Sequence, residues 1–336
     1  MAATCDVFIR HFDNDGLPLE LNGSNADLAV NETDYSVVSV PAIAVNDAGE
    51  MAITWETNDA IYVSVIRSDG RAVIRDAAVS PSDVDDPVDP AVAAIGSTFY
   101  LLWHPNNGNP SVAGLHQRSL AGSNLTAIRQ VDPGVGRSAA AVATHGSQIL
   151  HVWSRDGVLV SQRGSSSGPA VEVVSFPGER IGAPTIKTNA TNATGYVVAY
   201  GRSKAGQSGG FTLSLLDDMG RLVRNVTLLD KGRASTDSPA VAVDASGNIA
   251  AVWSQCAEQP EGSVDGSGCA VMIALYDGSL TPLSEPRVVN TTTMGDQFEP
   301  SVTAVANGFA VAWSDASGIG DSDGGIRARV IYADTF

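Results

Sequence analysis

Short apolar segments alternate with polar turns along the whole chain, and none keeps the 3.6-residue spacing that marks an amphipathic helix. The segments are rich in valine, isoleucine and alanine, and glycine, asparagine, aspartate or proline separates each from the next. β-Branched residues favour strands, and glycine and asparagine supply the positive φ angles that tight hairpins need. The pattern therefore predicts an all-β protein of short antiparallel strands.

A repeat of about 50 residues organises these strands. Tryptophan stands at positions 55, 103, 153, 253 and 313, and Tyr200 fills the gap in the series. A similar strand begins 13 to 16 residues before each aromatic residue: "PAIAV" at 41, "PAVAA" at 90, "SAAAV" at 138, "PTIKT" at 184, "PAVAV" at 239 and "PSVTA" at 300. Six copies at this spacing indicate one supersecondary unit used repeatedly.

Each repeat reads as four strands, which we name A to D in chain order. Strand A is the "PAVAV" segment, strand B ends on the aromatic residue, and strands C and D form a second hairpin. Such four-stranded antiparallel sheets are typical of propeller blades, so we predict one six-bladed β-propeller domain over residues 1–336. The predicted units are residues 41–88, 90–135, 138–180, 184–235, 239–296 and 300–336. Each tryptophan is expected to pack between adjacent blades.

The N-terminal residues 5–31 are left over from the six units. Within them "DVFIRHF" resembles strand C, and "LELNG" or "DLAVN" resembles strand D. We expect these strands to close the last blade, because closure removes an exposed sheet edge. Seven C-like segments against six A–B pairs leave a seven-bladed propeller as the alternative, and a surplus strand is available for self-assembly.

The last repeat carries a family resemblance. Its segments "VVNTTTMGDQFEPSVTAVANGFAVAWSD" and "DSDGGIRARVIYAD" resemble the repeats of large secreted and surface-attached, adhesin-like proteins. Elsewhere the match fades to a "P-x-V-A … W" skeleton. The resemblance implies an extracellular β-repeat protein and brings no catalytic residue with it.

Charge limits the range of partners. Lys and Arg total 20 against 37 Asp and Glu, a formal net charge of −17, which excludes a nucleic-acid backbone as partner. No apolar run is long enough to span a membrane. We expect an extracellular or cell-surface protein whose signal peptide has been removed; the alternative is a chain that stays inside the cell.

Seven N-x-[ST] triplets exceed the number that chance predicts and favour a glycoprotein. Asn189 and Asn192 fall in the fourth A–B turn, Asn124 and Asn225 fall near C–D turns, and Asn31 and Asn290 occupy equivalent ends of strand D. The seventh is Asn22. The alternative is that asparagine and threonine are simply good turn residues.

Three cysteines are present. Cys256 and Cys269 bracket a glycine-rich loop between two predicted strands, so a disulfide across the loop is expected in an oxidising compartment. Cys5 is then free or pairs with another chain. Two buried thiols in a reducing cell remain the alternative.

Candidate ligand-binding residues lie in the loops of one face, because the B–C and D–A loops of a propeller share a face and variable polar loops on a rigid scaffold usually bind ligands. They are Asp89, Arg137, Arg180, Asp237, Asp296 and Glu299. No cofactor is expected except possible calcium at Asp315, Asp321 and Asp323, or along "PSDVDDPVDP", because hard cations prefer several oxygen ligands from one flexible loop.

The sequence thus favours a non-enzymatic extracellular module for adhesion, for recognition of a protein or glycan, or for assembly of a surface appendage. The alternative is a sialidase-like glycoside hydrolase that uses loop carboxylates. A pair of carboxyl groups facing one substrate site would favour the enzyme.

Overall fold

The computed structural model describes residues 6–13, 17–24, 26–35, 38–81, 86–105, 114–133, 140–155, 157–164, 170–189, 195–204, 207–234, 239–256, 264–320 and 324–332. The chain divides into two compact units, residues 1–151 and 152–336. The ordered elements are all β-strands, and within the described ranges no helix is long and apolar enough to cross a membrane. The prediction of an all-β fold is therefore confirmed.

Two complete repeats lie in the first unit. The strands of the first sheet are β5 (Ser39–Val45), β6 (Met51–Glu56), β7 (Ile61–Ile66) and β8 (Ala72–Ala78), in the order A to D. The second sheet contains β9 (Pro87–Ile95), β10 (Thr98–Pro105) and β11 (Leu115–Ala121), with β12 (Asn124–Leu125) and β13 (Arg129–Asp132) both pairing with β11. All pairings are antiparallel, as the hairpin pattern predicts.

Four short strands precede the first sheet: β1 (Phe8–Ile9), β2 (His11–Phe12), β3 (Pro18–Leu19) and β4 (Leu28–Ala29). β1 pairs with β4 and β2 pairs with β3, so the two ends of this segment run side by side. Val7 and Val30 bury their side chains against Trp55 of β6. The segment therefore has the C-like and D-like strands that the sequence predicts, and its role in closing the last blade stays a prediction.

The third, fourth and fifth repeats follow the same A-to-D pattern, and the sixth has strands A to C in the described residues. The third sheet contains β14 (Ala140–His145), β15 (Gln148–Arg155), β16 (Val158–Arg163) and β17 (Val171–Ser175). The fourth contains β18 (Arg180–Ile181), β19 (Thr185–Thr188), β20 (Tyr196–Lys204), β21 (Gln207–Leu216) and β22 (Leu222–Ala234). The fifth contains β23 (Ala240–Val243), β24 (Ile249–Cys256), β25 (Cys269–Tyr276) and β26 (Arg287–Val288), and the sixth β27 (Gln297–Val305), β28 (Gly308–Asp315) and β29 (Gly325–Tyr332). A single residue pair, Ala234 with Gln255, joins the fourth and fifth of these sheets into one nine-stranded sheet. The six repeats are the blades of a six-bladed β-propeller fold, as predicted.

The strand-B aromatic residues form the core between neighbouring sheets. Trp103 of the second sheet packs with Ile61 and Val63 of the first, and Trp253 of the fifth packs with Phe211 of the fourth. The Phe211 and Trp253 rings stack with centroids 5.4 Å apart. All five tryptophans and Tyr200 are at most 4% exposed. The predicted packing role of this position is confirmed.

The C–D turn of the first sheet shows why glycine punctuates the repeat. Gly70 has a φ angle of 86°, and a Cβ atom there would lie 2.6 Å from the backbone nitrogen of Asn22. Asn22 donates that N–H to the carbonyl of Asp69 at 2.8 Å. Only a residue without a side chain allows the N-terminal segment to approach the turn this closely.

Candidate active site

Three A strands carry the same backbone irregularity at the residue before their proline. Val40, Asp89 and Glu299 have φ angles of 46°, 52° and 52°. The pairing register of β5, β9 and β27 shifts at these positions, which marks a β-bulge. Such a conformation costs on the order of 1–3 kcal/mol for a non-glycine residue, and bulges commonly re-aim side chains beside functional sites. In two of the three sheets, the re-aimed side chain is an acid.

In the first unit, the Asp89 bulge brings two carboxylates and a histidine together. The backbone N–H of Asp89 donates to Glu56 Oε2 at 2.9 Å, and Ser39 Oγ donates to Glu56 Oε1 at 3.0 Å. Asp89 Oδ2 lies 2.9 Å from His104 Nε2. We call Glu56, Asp89 and His104 the carboxylate cluster. It lies where strand A begins and strand B ends in the first two sheets.

Burial differs sharply within the carboxylate cluster. The His104 side chain is 5% exposed, whereas that of Asp89 is 41% exposed. His104 Nδ1 also lies 3.4 Å from the carbonyl oxygen of Pro105. Both ring nitrogens therefore face an oxygen atom, and a neutral imidazole can donate to only one of them. Each ring nitrogen of His104 thus has an oxygen atom nearby that can accept a hydrogen bond. Asp89 is the residue of the pair that faces solvent.

A second histidine lies behind the carboxylate cluster. His116 of β11 is the strand partner of Trp103, and their ring centroids are 5.8 Å apart. Burial lowers the pKa of His116, and the proximity of His104 lowers it further. His116 is thus a neutral imidazole at neutral pH, and the carboxylate of Asp89 is the solvent-facing group of the cluster.

The second unit also has two acids at the sheet end where a bulge occurs, Glu299 and Asp315, but here an arginine pairs with one of them. Asp315 is 4% exposed and accepts hydrogen bonds from Arg327 and Ser317. Burial alone would raise the pKa of Asp315, but these donors outweigh it and lower the pKa overall. Glu299 stays exposed, with Ser314 Oγ 3.4 Å from its carboxylate. Asp315 is therefore the buried member of an ion pair with Arg327, and Glu299 is the solvent-facing acid.

The residues predicted to bind a ligand have unlike surroundings. Asp89 belongs to the carboxylate cluster, and Glu299 projects from the equivalent bulge. Asp296 accepts the backbone N–H of Cys269 at 2.9 Å, and Arg180 is exposed at the start of β18. Arg137 and Asp237 lie outside the described residues.

Sequence reasoning missed Glu56 and His104. Each directly follows the tryptophan of strand B, Glu56 after Trp55 and His104 after Trp103. The position after the tryptophan could have been recognised as a candidate, because strands A and B are antiparallel. The last residues of strand B therefore lie beside the first residues of strand A. A comparison of this position across the six repeats would have singled out the acid and the imidazole.

The predicted calcium ligands are only partly described. The carboxylate of Asp315 is neutralised by Arg327, which makes it a poor cation ligand. Asp321, Asp323, Asp83 and Asp85 lie outside the described residues. In the ranges that the structure covers, no three His, Cys, Asp or Glu side chains are arranged to hold a metal. Calcium binding stays a prediction.

Cys256 and Cys269 form a disulfide across the facing ends of β24 and β25. Cys5 lies outside the described residues. Of the seven glycosylation triplets, Asn22, Asn124 and Asn225 are exposed, whereas Asn31, Asn189 and Asn290 are buried. Asn192 lies outside the described residues.

Comparison with solved structures identifies several that match most of the chain. An α-L-arabinanase of Penicillium chrysogenum, complexed with arabinobiose, matches 99% of this chain and 98% of its own, with a TM-score of 0.57 and 12% identity. An α-L-arabinofuranosidase of Fusarium graminearum matches 92% of this chain and 97% of its own, with a TM-score of 0.56 and 14% identity. A hydrazine synthase structure of Kuenenia stuttgartiensis matches 83% of this chain and 77% of its own, with a TM-score of 0.55 and 10% identity. At these identities, the likeness shows the fold alone.

In sequence, no protein-family model and no curated protein matches the chain. The predicted non-enzymatic adhesion or binding module is nevertheless overturned by the structural comparison. The arabinanase and the arabinofuranosidase, which match over almost their full lengths, are glycoside hydrolases. The prediction that the protein is not an enzyme was wrong for a physical reason: repeat patterns report packing, and packing is shared by propellers of every function. The resemblance to adhesin-like repeats stays untested.

Proposed function

We propose that this protein is a glycoside hydrolase that cleaves arabinose-containing glycans with the carboxylate cluster. The observation that carries the proposal is the 2.9 Å hydrogen bond from the backbone N–H of Asp89 to Glu56 Oε2, which places the two acidic residues at one sheet end. Hydrolysis of a glycosidic bond needs one group to protonate the leaving oxygen and a carboxylate to act as nucleophile or base. The match to arabinan-active propellers supports the substrate class.

The hydrogen bonds favour distinct roles for the two acids. Glu56 accepts from the N–H of Asp89 and the hydroxyl of Ser39, an arrangement that suits an ionised carboxylate acting as nucleophile or base. Asp89 faces solvent and lies 2.9 Å from buried His104, so we assign the proton-donor role to Asp89. The negative charge of the chain favours a neutral polysaccharide over a polyanion.

The disulfide supports an oxidising compartment as the place of action. Disulfides persist outside reducing cytosol, and glycans that such an enzyme degrades are met at or beyond the cell surface. We therefore place the enzyme outside the cell as part of the same proposal.

The test is hydrolysis of linear arabinan, arabinobiose and 4-nitrophenyl α-L-arabinofuranoside. Glu56→Gln and Asp89→Asn should each lower kcat by roughly 10²–10⁴-fold, because each removes a group that carries charge or a proton in the transition state. Glu50→Gln is the matched control, since Glu50 lies in the A–B turn at the opposite end of the same sheet. Circular dichroism and Tm confirm that the variants fold.

Two outcomes would refute the proposal. One is the absence of hydrolysis by the wild-type protein on these substrates and on a wider glycan panel. The other is full activity in both cluster variants, which would move the chemistry elsewhere.

A further inference from the structure

Two glycosylation triplets begin with asparagines that perform a structural task. Asn31 and Asn290 are 6% and 5% exposed. Each accepts a backbone N–H near the start of a C-like strand: Val7 donates to Asn31 Oδ1 at 2.8 Å, and Val271 donates to Asn290 Oδ1 at 2.9 Å. In the first sheet, Ser80 accepts the N–H of Ile61 in the same way at 2.9 Å. The asparagines and Ser80 therefore satisfy the same kind of backbone donor near the start of a C-like strand.

The amide nitrogens of these asparagines are fully used. Asn31 Nδ2 donates to Asp6 Oδ1 at 2.8 Å and to the carbonyl of Thr33 at 2.9 Å. Asn290 Nδ2 lies 2.8 Å from Asp265 Oδ2, 2.8 Å from the carbonyl of Thr292 and 3.0 Å from Gln297 Oε1. A glycosylated amide retains one hydrogen, so a glycan would remove one of these hydrogen bonds from each asparagine. It would also place a sugar where the chain is packed.

Asn189 is closed to modification in a similar way. It is 0% exposed in the fourth A–B turn, and its Nδ2 donates to the carbonyl of Gly278 at 3.1 Å. A sugar on this nitrogen would separate the turn from the neighbouring one.

The three exposed asparagines lie near C–D turns. This end of a sheet is opposite to the end of strand D, which is where Asn31 and Asn290 lie. Asn22 contacts the C–D turn of the first sheet through Asp69, and Asn124 begins the strand after the C–D turn of the second. Asn225 pairs with Ser214 near the C–D turn of the fourth sheet. In the first two sheets this end lies away from the carboxylate cluster, so a glycan there leaves Glu56 and Asp89 accessible.

We propose that the folded protein carries N-linked glycans at Asn22, Asn124 and Asn225, and that Asn31, Asn189 and Asn290 stay unmodified as structural asparagines. In the transfer, the oligosaccharide leaves a lipid-diphosphate donor. A bond forms between asparagine Nδ2 and the sugar C1 carbon, the bond from C1 to the phosphate oxygen breaks, and one Nδ2 proton is released with the lipid diphosphate. A chain that receives a glycan at a buried asparagine before folding cannot form the contacts above.

The experiment is to secrete the full chain from a cultured eukaryotic cell line that performs N-glycosylation and to map the folded product. Enzymatic release of glycans in ¹⁸O-water converts each occupied asparagine to labelled aspartate, which peptide mass spectrometry locates. We expect label at Asn22, Asn124 and Asn225 and none at the buried three. Label at Asn31, Asn189 or Asn290 in folded protein, or unmodified asparagine at all three exposed sites, would overturn the proposal.

Matched variants test the same point through intact mass. Asn31→Ser/Asn290→Ser introduces the serine that the first sheet uses at position 80 and should change the protein mass by the substitutions alone. Asn124→Gln/Asn225→Gln should remove the mass of two glycans. Loss of a glycan mass from the serine variant, or none from the glutamine variant, would contradict the assignment.

Discussion

His151 makes the stability of the fold depend on pH in the mildly acidic range. It lies in β15 at 0% exposure, and no hydrogen-bond partner for either ring nitrogen is found in the described part of the chain. Burial lowers its pKa to about 3, with a smaller contribution from the positive charge of Arg129. In the unfolded chain the ordinary value of about 6.5 applies. Between these two pKa values, His151 is therefore neutral in the folded state and protonated in the unfolded state.

The sign and size of the effect follow from this difference. The contribution of His151 to stability is fully present above pH 6.5 and is lost as the pH falls toward 3, because the unfolded state binds more protons in that window. A pH of 5.0 lies about 1.5 units below the pKa of the unfolded imidazole. Protonation therefore stabilises the unfolded chain by about 2 kcal/mol, at 1.36 kcal/mol per unit. That is a large fraction of a typical folding stability.

His151→Leu should abolish this component. The equivalent position, two residues before the strand-B aromatic, is apolar in every other repeat: Ile53, Leu101, Val198, Ala251 and Val311. We expect urea denaturation, monitored by tryptophan fluorescence, to show a decrease in the free energy of unfolding between pH 7.5 and 5.0. This decrease should be about 2 kcal/mol smaller in the variant than in the wild-type protein. His11→Gln, at a half-buried site in β2, should keep the wild-type loss. An unchanged loss in His151→Leu would refute the reasoning.

Three further predictions concern the scaffold. Trp253→Ala should lower the free energy of unfolding by about 3–5 kcal/mol, because it leaves a cavity between the fourth and fifth sheets, and chemical denaturation measures the loss. Gly114→Ala should lower Tm by several degrees in calorimetry, because its φ angle is 106° and a Cβ would lie 1.9 Å from the carbonyl oxygen of Asp132; an unchanged Tm would contradict the described strand end. Cys256→Ser/Cys269→Ser should cost about 3 kcal/mol by releasing the loop between β24 and β25, and reductant should destabilise the wild-type protein but leave this variant unaffected.

The scaffold was readable from the sequence because packing dictates its residues. Trp55, Trp103 and their equivalents recur at nearly constant spacing since each must fill the same gap against the preceding strands. Glycine at turns such as Gly70 recurs because only glycine tolerates both the φ angle and the close backbone. These are local demands repeated six times, so one sequence is enough to find them.

The candidate site was harder to read for an equally physical reason. A residue before proline is expected to be extended, yet Asp89 adopts a left-handed conformation, and this changes where its carboxylate points. Its partners Glu56 and His104 are 33 and 15 residues away in sequence, and only sheet packing brings them together. The interpretation as a non-enzymatic module failed because it gave weight to the repeated residues, whereas the cluster is built from the residues that differ between repeats.

In each repeat, the residue that packing requires and the residue that can carry chemistry are different, neighbouring positions. The aromatic residue that ends strand B is fixed by packing, but the residue after it varies among Glu56, His104, Ser154, Gly201, Ser254 and Ser314. A substitution at such a position changes the functional group at the sheet end while the strand-B aromatic residue beside it stays the same. The six sheet ends of one chain can therefore carry different chemistry on one repeated scaffold.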